Sequence, residues 1–142
     1  MADYIKTVTC DSYFNSIGAV SAGSGGSCPV ITSFKVGYGW VDEAGETPIL
    51  TDLNGTETNV PGIFFTGTKA DLDMTVSYSG GTLLMQCVVA EGSVSEPEKA
   101  SAIGIFDQNG NMIAAAAFYP DWITPTEEYR INVYINFPVF GD

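Results

Sequence analysis

The chain has 142 residues, a length at which one domain buries about two-thirds of the surface its unfolded form exposes, so a single domain spanning 1–142 is expected. Hydrophobic residues make up 45% and charged residues 15%, with 16 glycines, a balance that argues against disorder and for strands joined by tight turns. Lys and Arg number 5 against 17 Asp and Glu, a formal charge of −12 that repels phosphate backbones and anionic bilayers and so argues against nucleic-acid or membrane partners.

The opening MADYIKTVTC has no apolar segment after a basic one, and no apolar run approaches the ~20 residues of a membrane span, so neither an export signal nor an anchor is expected. Residues 11–22, DSYFNSIGAVSA, read as a short helix capped by Asp11 or Ser12, with Phe14, Ile17, Ala19 and Val20 making its apolar contacts. GSGGS after it is a flexible joint, and PVITSFKVGY at 29–38 reads as a strand entered through a proline, where the missing N–H is tolerated. Residues 39–59 are polar, acidic and rich in turn formers, the longest loop region, with one apolar island at 48–50. VPGIFFT at 60–66 reads as a short strand. In DLDMTVSYS, Leu72, Met74, Val76 and Tyr78 alternate with Asp71, Asp73, Thr75 and Ser77, the period-2 pattern of a sheet with one wet face. Gly80-Gly81 then supplies the positive φ angles of a two-residue hairpin turn.

The partner strand, TLLMQCVVA at 82–90, is apolar at almost every position, which places it centrally in a sandwich or at a subunit interface. After an acidic connection at 91–99 comes SAIGIFDQNGNMIAAAAFY, read as a strand over 100–106, a turn at Asn109-Gly110 and a return strand over 111–119. Ala114, Ala115, Ala116 and Ala117 favour helix on propensity alone, but their place after the turn fits a strand whose small side chains let another layer approach. YRINVYINF at 129–137 alternates cleanly and is a strand. Six or seven strands with one short N-terminal helix define a mainly all-β chain, an antiparallel β-sandwich or open barrel.

Catalytic chemistry finds little footing. Without histidine no Ser-His or Cys-His site can exist, and no lysine sits in a motif for a Ser-Lys site. The loop carboxylates Asp42, Glu43, Glu46, Asp52, Glu57, Glu96, Glu98, Glu127 and Glu128 could in principle supply a glycosidase pair, but crowded in polar loops they read as solvated surface. DQNGN places Asp107, Asn109 and Asn111 at the spacing that opens a calcium loop, yet the closing bidentate acid is missing, and a hairpin turn is the better reading; Asp52, Asn54 and Glu57 make a weaker signal still. Gly37 and Gly39 lack the third glycine and the helix of a phosphate cradle and read as strand-end turns. Trp40, Trp122, Tyr38 and Tyr119 could line a sugar-binding face, with core or interface packing the competing use. Cys10, Cys28 and Cys87 match no zinc or redox spacing and read as buried or idle thiols, with a Cys10–Cys28 bridge left open. No enzyme activity and no cofactor or metal are expected.

The succession ITSFKVGYG at 31–39, an acidic loop containing TPILTDLN, a hydrophobic strand, and then SAIGIFDQNGNMIAAAAFY resembles the N-terminal domain of phage tail-collar or tail-fibre proteins. Phe34, Val36, Gly37 and Gly39 match the first family segment, with Tyr38 where an acidic residue is usual. Ile103, Gly104, Ile105, Phe106, Asp107, Gly110, Met112, Ile113 and Ala114 match its hairpin, with Ala102 where a glutamate is usual. The resemblance implies a structural component of a virion or phage-tail-like particle, made in the host cytoplasm, that associates with itself, with a trimer favoured, and with other particle proteins. The chain stops at Asp142 where a fibre would continue into a shaft and tip, which favours an anchoring, adaptor or decorating role over receptor recognition. On this reading Gly104, Asp107, Asn109 and Gly110 form a structural hairpin, while Leu83, Met85, Val88 and the four alanines form the oligomer or attachment interface. The low charged fraction also points to a surface covered by a partner. The alternative is a carbohydrate-binding β-sandwich module for host or glycan recognition.

Overall fold

Hairpin turns and alternating strands build the frame. The computed structural model describes residues 5–137; residues 1–4 and 138–142, where the expected domain begins and ends, lie outside the described residues. In chain order the elements are β1 (Ile5–Thr9), α1 (Asp11–Ser21), β2 (Ile31–Gly37), β3 (Val41–Asp42), β4 (Ile49–Leu50), β5 (Phe65–Thr68), β6 (Met74–Ser79), β7 (Thr82–Val89), β8 (Glu98–Asp107), β9 (Met112–Ile123) and β10 (Tyr129–Asn136). All pairings are antiparallel: a five-stranded sheet in the order β1-β9-β8-β2-β5, a three-stranded sheet β10-β7-β6, and a small ribbon β3-β4. The chain is therefore mainly β with one short N-terminal helix, as its patterning predicts.

The two large sheets face each other across the main core. Phe34 and Val36 of β2, Ile103 and Ile105 of β8, and Ala114, Ala116 and Phe118 of β9 meet Met74, Met85, Cys87, Val89, Ile131, Val133 and Ile135 of the smaller sheet. Glycine makes part of this packing possible: a Cβ on Gly67 of β5 would collide with the Phe34 ring. Tyr13 and Ile17 of α1 reach the same core, and Tyr13 stacks near Phe137 with ring centroids 6.2 Å apart, so the helix closes one end of the sandwich.

The far side of the five-stranded sheet is also covered. Trp40 and Leu53 of the long acidic loop, with Val60 just past its end, pack on Ala102, Phe106, Met112 and Ala115. The loop is stitched down at two points: Ser101 Oγ accepts from Gly39 N–H (2.9 Å) and donates to Gly39 C=O (2.7 Å), and Asp11 N–H donates to Gly55 C=O (2.8 Å). At its start, Gly37 lies so close to the Pro61 carbonyl that no side chain fits between them. This second cover explains why β8 and β9 are buried on both faces.

Several expectations are corrected. The helix starts without a side-chain cap from Asp11 or Ser12; Cys10 is the N-cap, and Ser12 Oγ instead donates to Met112 C=O (2.5 Å). Phe14 and Val20 are exposed, and Tyr13 is the buried helix residue, because the helix packs by its first turn against the sandwich end. The strand expected at 60–66 begins only at Phe65, since Pro61 and Gly62 turn the chain against Tyr38. Leu72 and Tyr78 lie beyond the covered part of β6 and are exposed. Strand β1 and the β3-β4 ribbon have no counterpart in the sequence reading.

Candidate functional site

The hairpin of β8 and β9 is held from within. Asp107 is buried, and its Oδ1 accepts from the N–H of Asn109 (2.9 Å) and of Asn111 (3.0 Å), while its carbonyl accepts from Gly110 N–H (3.1 Å) and Thr32 Oγ1 (3.0 Å). Gly110 has φ 79 and Asn109 does not enter the positive region, so the loop is a three-residue turn over Gln108, Asn109 and Gly110 rather than a two-residue Asn-Gly turn. Gly104, farther back, lets Met112 and Val60 close over β8: a Cβ there would lie 2.6 Å from each. The carboxylate of Asp107 is thus spent on turn amides rather than aimed at a cation.

The expected interface residues do not share a surface. Met85, Ala114, Ala115, Ala116 and Ala117 are each 0% exposed, and Leu83 packs against the main core. The layer that the alanines admit is the chain's own: Ala114 and Ala116 face the smaller sheet, and Ala115 faces the long loop. Val88 lies on an outer face; in the single chain the other six turn toward its own layers, Leu83 only half-buried. Hydrophobicity reports burial without saying whether the covering layer belongs to the same chain.

The surface that remains open is the outer face of the β10-β7-β6 sheet. Its cross-strand rows are Asn132, Gln86 and Thr75; Tyr134, Leu84 and Ser77; and Asn136, Thr82 and Ser79, with Arg130 beside Val88 at one end. Thr75 Oγ1 donates to Gln86 Oε1 (3.1 Å) and Thr82 Oγ1 to Asn136 Oδ1 (2.9 Å). Arg130 is the one charge in these rows, and its Nε bonds Glu128 Oε2 at 2.6 Å. A shallow groove of about 330 Å³ crosses the Arg130 end, lined by Met74, Gln86, Val88 and Asn132 among others. Most acids lie elsewhere, Asp42, Glu43, Glu46, Asp52 and Glu57 on the long loop and Glu91, Glu96 and Glu127 in the connections flanking β8 and β9, while Asp71, Asp73 and Glu128 sit at the Arg130 end of this sheet.

The four aromatics proposed as a sugar platform separate. Tyr38 and Trp122 flank Lys99, whose Nζ is 5.7 and 5.9 Å from the two ring centroids and 2.8 Å from Glu43 Oε1. Tyr38 Oη also donates to Glu43. Trp40 turns into the packing under the long loop, and Tyr119 lies by Lys6, Pro48, Ile49 and Leu50. The hydrogen bonds from Lys99 and Tyr38 hold Glu43 below the usual carboxylate range, and Lys6, 2.7 Å from Asp52, does the same there. Both shifts run opposite to that of a general acid, which must stay protonated near neutrality.

Asn54 and Glu57 are also committed locally. Asn54 Oδ1 accepts from Thr56, and the Glu57 carboxylate accepts from the N–H of Asn54 (3.1 Å) and Gly55 (2.8 Å). Among the described residues no group of three or more Cys, Asp or Glu side chains converges as a metal site would require. All three cysteines are free; Cys28 is exposed, whereas burial raises the thiol pKa of Cys87 to about 12. Burial, and then the charges of Glu57 and Asp11, raise that of Cys10 to about 11.

No protein-family model matches the chain, and comparison with curated proteins and with solved structures returned no match either.

Proposed function

We propose that this chain is a non-enzymatic structural component of a phage virion or phage-tail-like particle, a tail or collar fibre, adaptor or decoration protein that works by joining copies of itself and attaching to neighbouring particle proteins. The observation that carries the reading is the partition of charge. Acids crowd the long loop and the connections at the sandwich ends, while the middle of the β10-β7-β6 outer face, between the Arg130 end and Asn136, is polar and uncharged. Chains that each carry −12 repel one another least where such a face is presented. The two segments that carry the tail-collar resemblance also support it, because they are hydrogen-bonded neighbours in one sheet, Phe34 opposite Ile105 and Val36 opposite Ile103. The test is the native mass by light scattering with and without reductant. A discrete oligomer unaffected by reductant is expected, since two of the three thiols are buried; a stable monomer at high micromolar concentration overturns the reading.

A second reading, a carbohydrate-binding module, is favoured by one observation: Trp122 is 56% exposed beside Tyr38, Lys99 and Glu43. Aromatic faces next to fixed polar groups suit sugar rings. Glycan-array binding that disappears in Trp122→Ala supports this module, and a blank array excludes it.

A further inference from the structure

We propose that two copies of this chain pair through the free edge of β10, antiparallel about a two-fold axis near Val133, so that the three-stranded sheets merge into one six-stranded sheet. The proposal deepens the self-association reading above and rests on it.

The edges of the two large sheets are β1, β5, β6 and β10. Natural edge strands avoid pairing by being short, by carrying lysine or proline, or by bulging. β5 has only 4 residues, and β1 has 5, one of them Lys6. β6 has 6 residues and is flanked by Asp73. β10 is the longest of these edges at 8 residues, contains neither lysine nor proline, and keeps an uninterrupted register with β7 from Tyr129 opposite Val89 to Asn136 opposite Thr82. Its protections are slight: Arg130 at one end, next to Glu128, and β1 of the other sheet, which comes close to β10 without pairing with it.

The backbone polarity of that edge follows from the ladder. Phe137 N–H donates to Gly81 C=O at 2.7 Å, so the odd-numbered residues of β10 turn their peptide groups toward β7. In an antiparallel strand the alternate residues then face outward. Arg130, Asn132, Tyr134 and Asn136 therefore present their N–H and C=O groups to the open side, and among the described residues no backbone hydrogen bond between elements is made from it.

A second copy fits this edge in both register and charge. Pairing about Val133 sets Asn132 opposite Tyr134 and Arg130 opposite Asn136 of the other copy, which brings outward-facing peptide groups together. It sets Ile131 opposite Ile135, so both cores stay on the same side of the merged sheet. No two like charges meet, although each molecule carries −12. A two-fold contact of this kind is self-complementary by construction.

The experiment is sedimentation of the full chain over a concentration series, with three variants. Asn132→Pro removes an N–H that the chain's own ladder does not use, and proline is tolerated at such edge positions. Tyr134→Lys adds the charge by which natural edges resist pairing. Thr75→Lys places the same charge on the far strand of the sheet. The wild type and Thr75→Lys are expected to be dimers, and both β10 variants to be folded by circular dichroism with a dissociation constant raised roughly tenfold or more, as loss of edge hydrogen bonds implies. A trimer, or any oligomer indifferent to both β10 variants, overturns the β10 pairing and leaves the structural-component reading standing. A wild-type monomer overturns both.

Discussion

Leu72 has φ 63 and is 87% exposed, so it takes a left-handed backbone without packing gain. That conformation costs a side-chain-bearing residue roughly 1–2 kcal/mol, part of which glycine returns as unfolded-state entropy. Leu72→Gly should therefore stabilise the fold by about 0.5–1 kcal/mol, seen as a higher urea midpoint; a lower midpoint would mean that Leu72 contributes packing after all. The cysteines differ for an equally local reason. Cys28 is exposed, whereas Cys10 and Cys87 are buried thiols with pKa values raised to about 11 and about 12. A colourimetric thiol reagent at neutral pH should titrate one cysteine in the native protein and all three in denaturant. Rapid labelling of a second would show that Cys10 or Cys87 opens readily. Neither distinction was legible in residue order, because spacing says nothing about which thiol a later strand covers.

At the scale of elements, the long acidic loop is the least obvious part of the core. Composition marks it as solvated, yet Trp40, Leu53 and Val60 cover the outer face of β8 and β9. Ser101 holds the start of this cover, exchanging two hydrogen bonds with Gly39 from a position that is 0% exposed. Ser101→Ala leaves the Gly39 peptide groups without these partners, and a cost of about 1–3 kcal/mol is expected. Faster amide hydrogen exchange should then spread through the loop while the β6-β7 hairpin stays protected. Uniform acceleration would mean that the loop opens only with the whole domain. The β6-β7 hairpin, by contrast, is written locally: Gly80 and Gly81 take φ 57 and 86, and Ser79 pairs with Thr82 across them. β1 leaves little local signature, because its five residues pair with a strand more than a hundred positions away.

For the whole molecule, stability depends on how a strongly acidic surface is balanced by few cations. Glu43 and Asp52 titrate below their ordinary values of 4.5 and 3.8 because of Lys99 and Lys6. Groups with lowered folded pKa values contribute stability that is complete above the unfolded values and disappears as the pH falls through the folded ones. The acid limb of the stability profile should therefore lie below the ordinary carboxylate range. In Glu43→Gln the curve should flatten there; an unchanged acid limb would show that the Lys99 pair contributes nothing net, as exposed pairs often do. At neutral pH, added salt should raise the urea midpoint by screening the repulsion that accompanies a charge of −12. A lower midpoint would mean that the ion pairs outweigh that repulsion.

Read alone, the chain already determined its class: alternation in β6 and β10, the Gly-Gly turn, and the hairpin around Asp107 are local patterns that fix strand direction and side. It also placed the acids in loops. Only the tertiary structure decided what covers what. Met85 and the four alanines are apolar whether their covering layer is a partner or the same chain, and the long loop supplies that layer from residues no local period connects to β9. The physical reason is that burial is a property of pairs distant in sequence. A strand's own residues state that one of its faces must be dry, while the fold alone states which segment dries it and which face is left for another molecule.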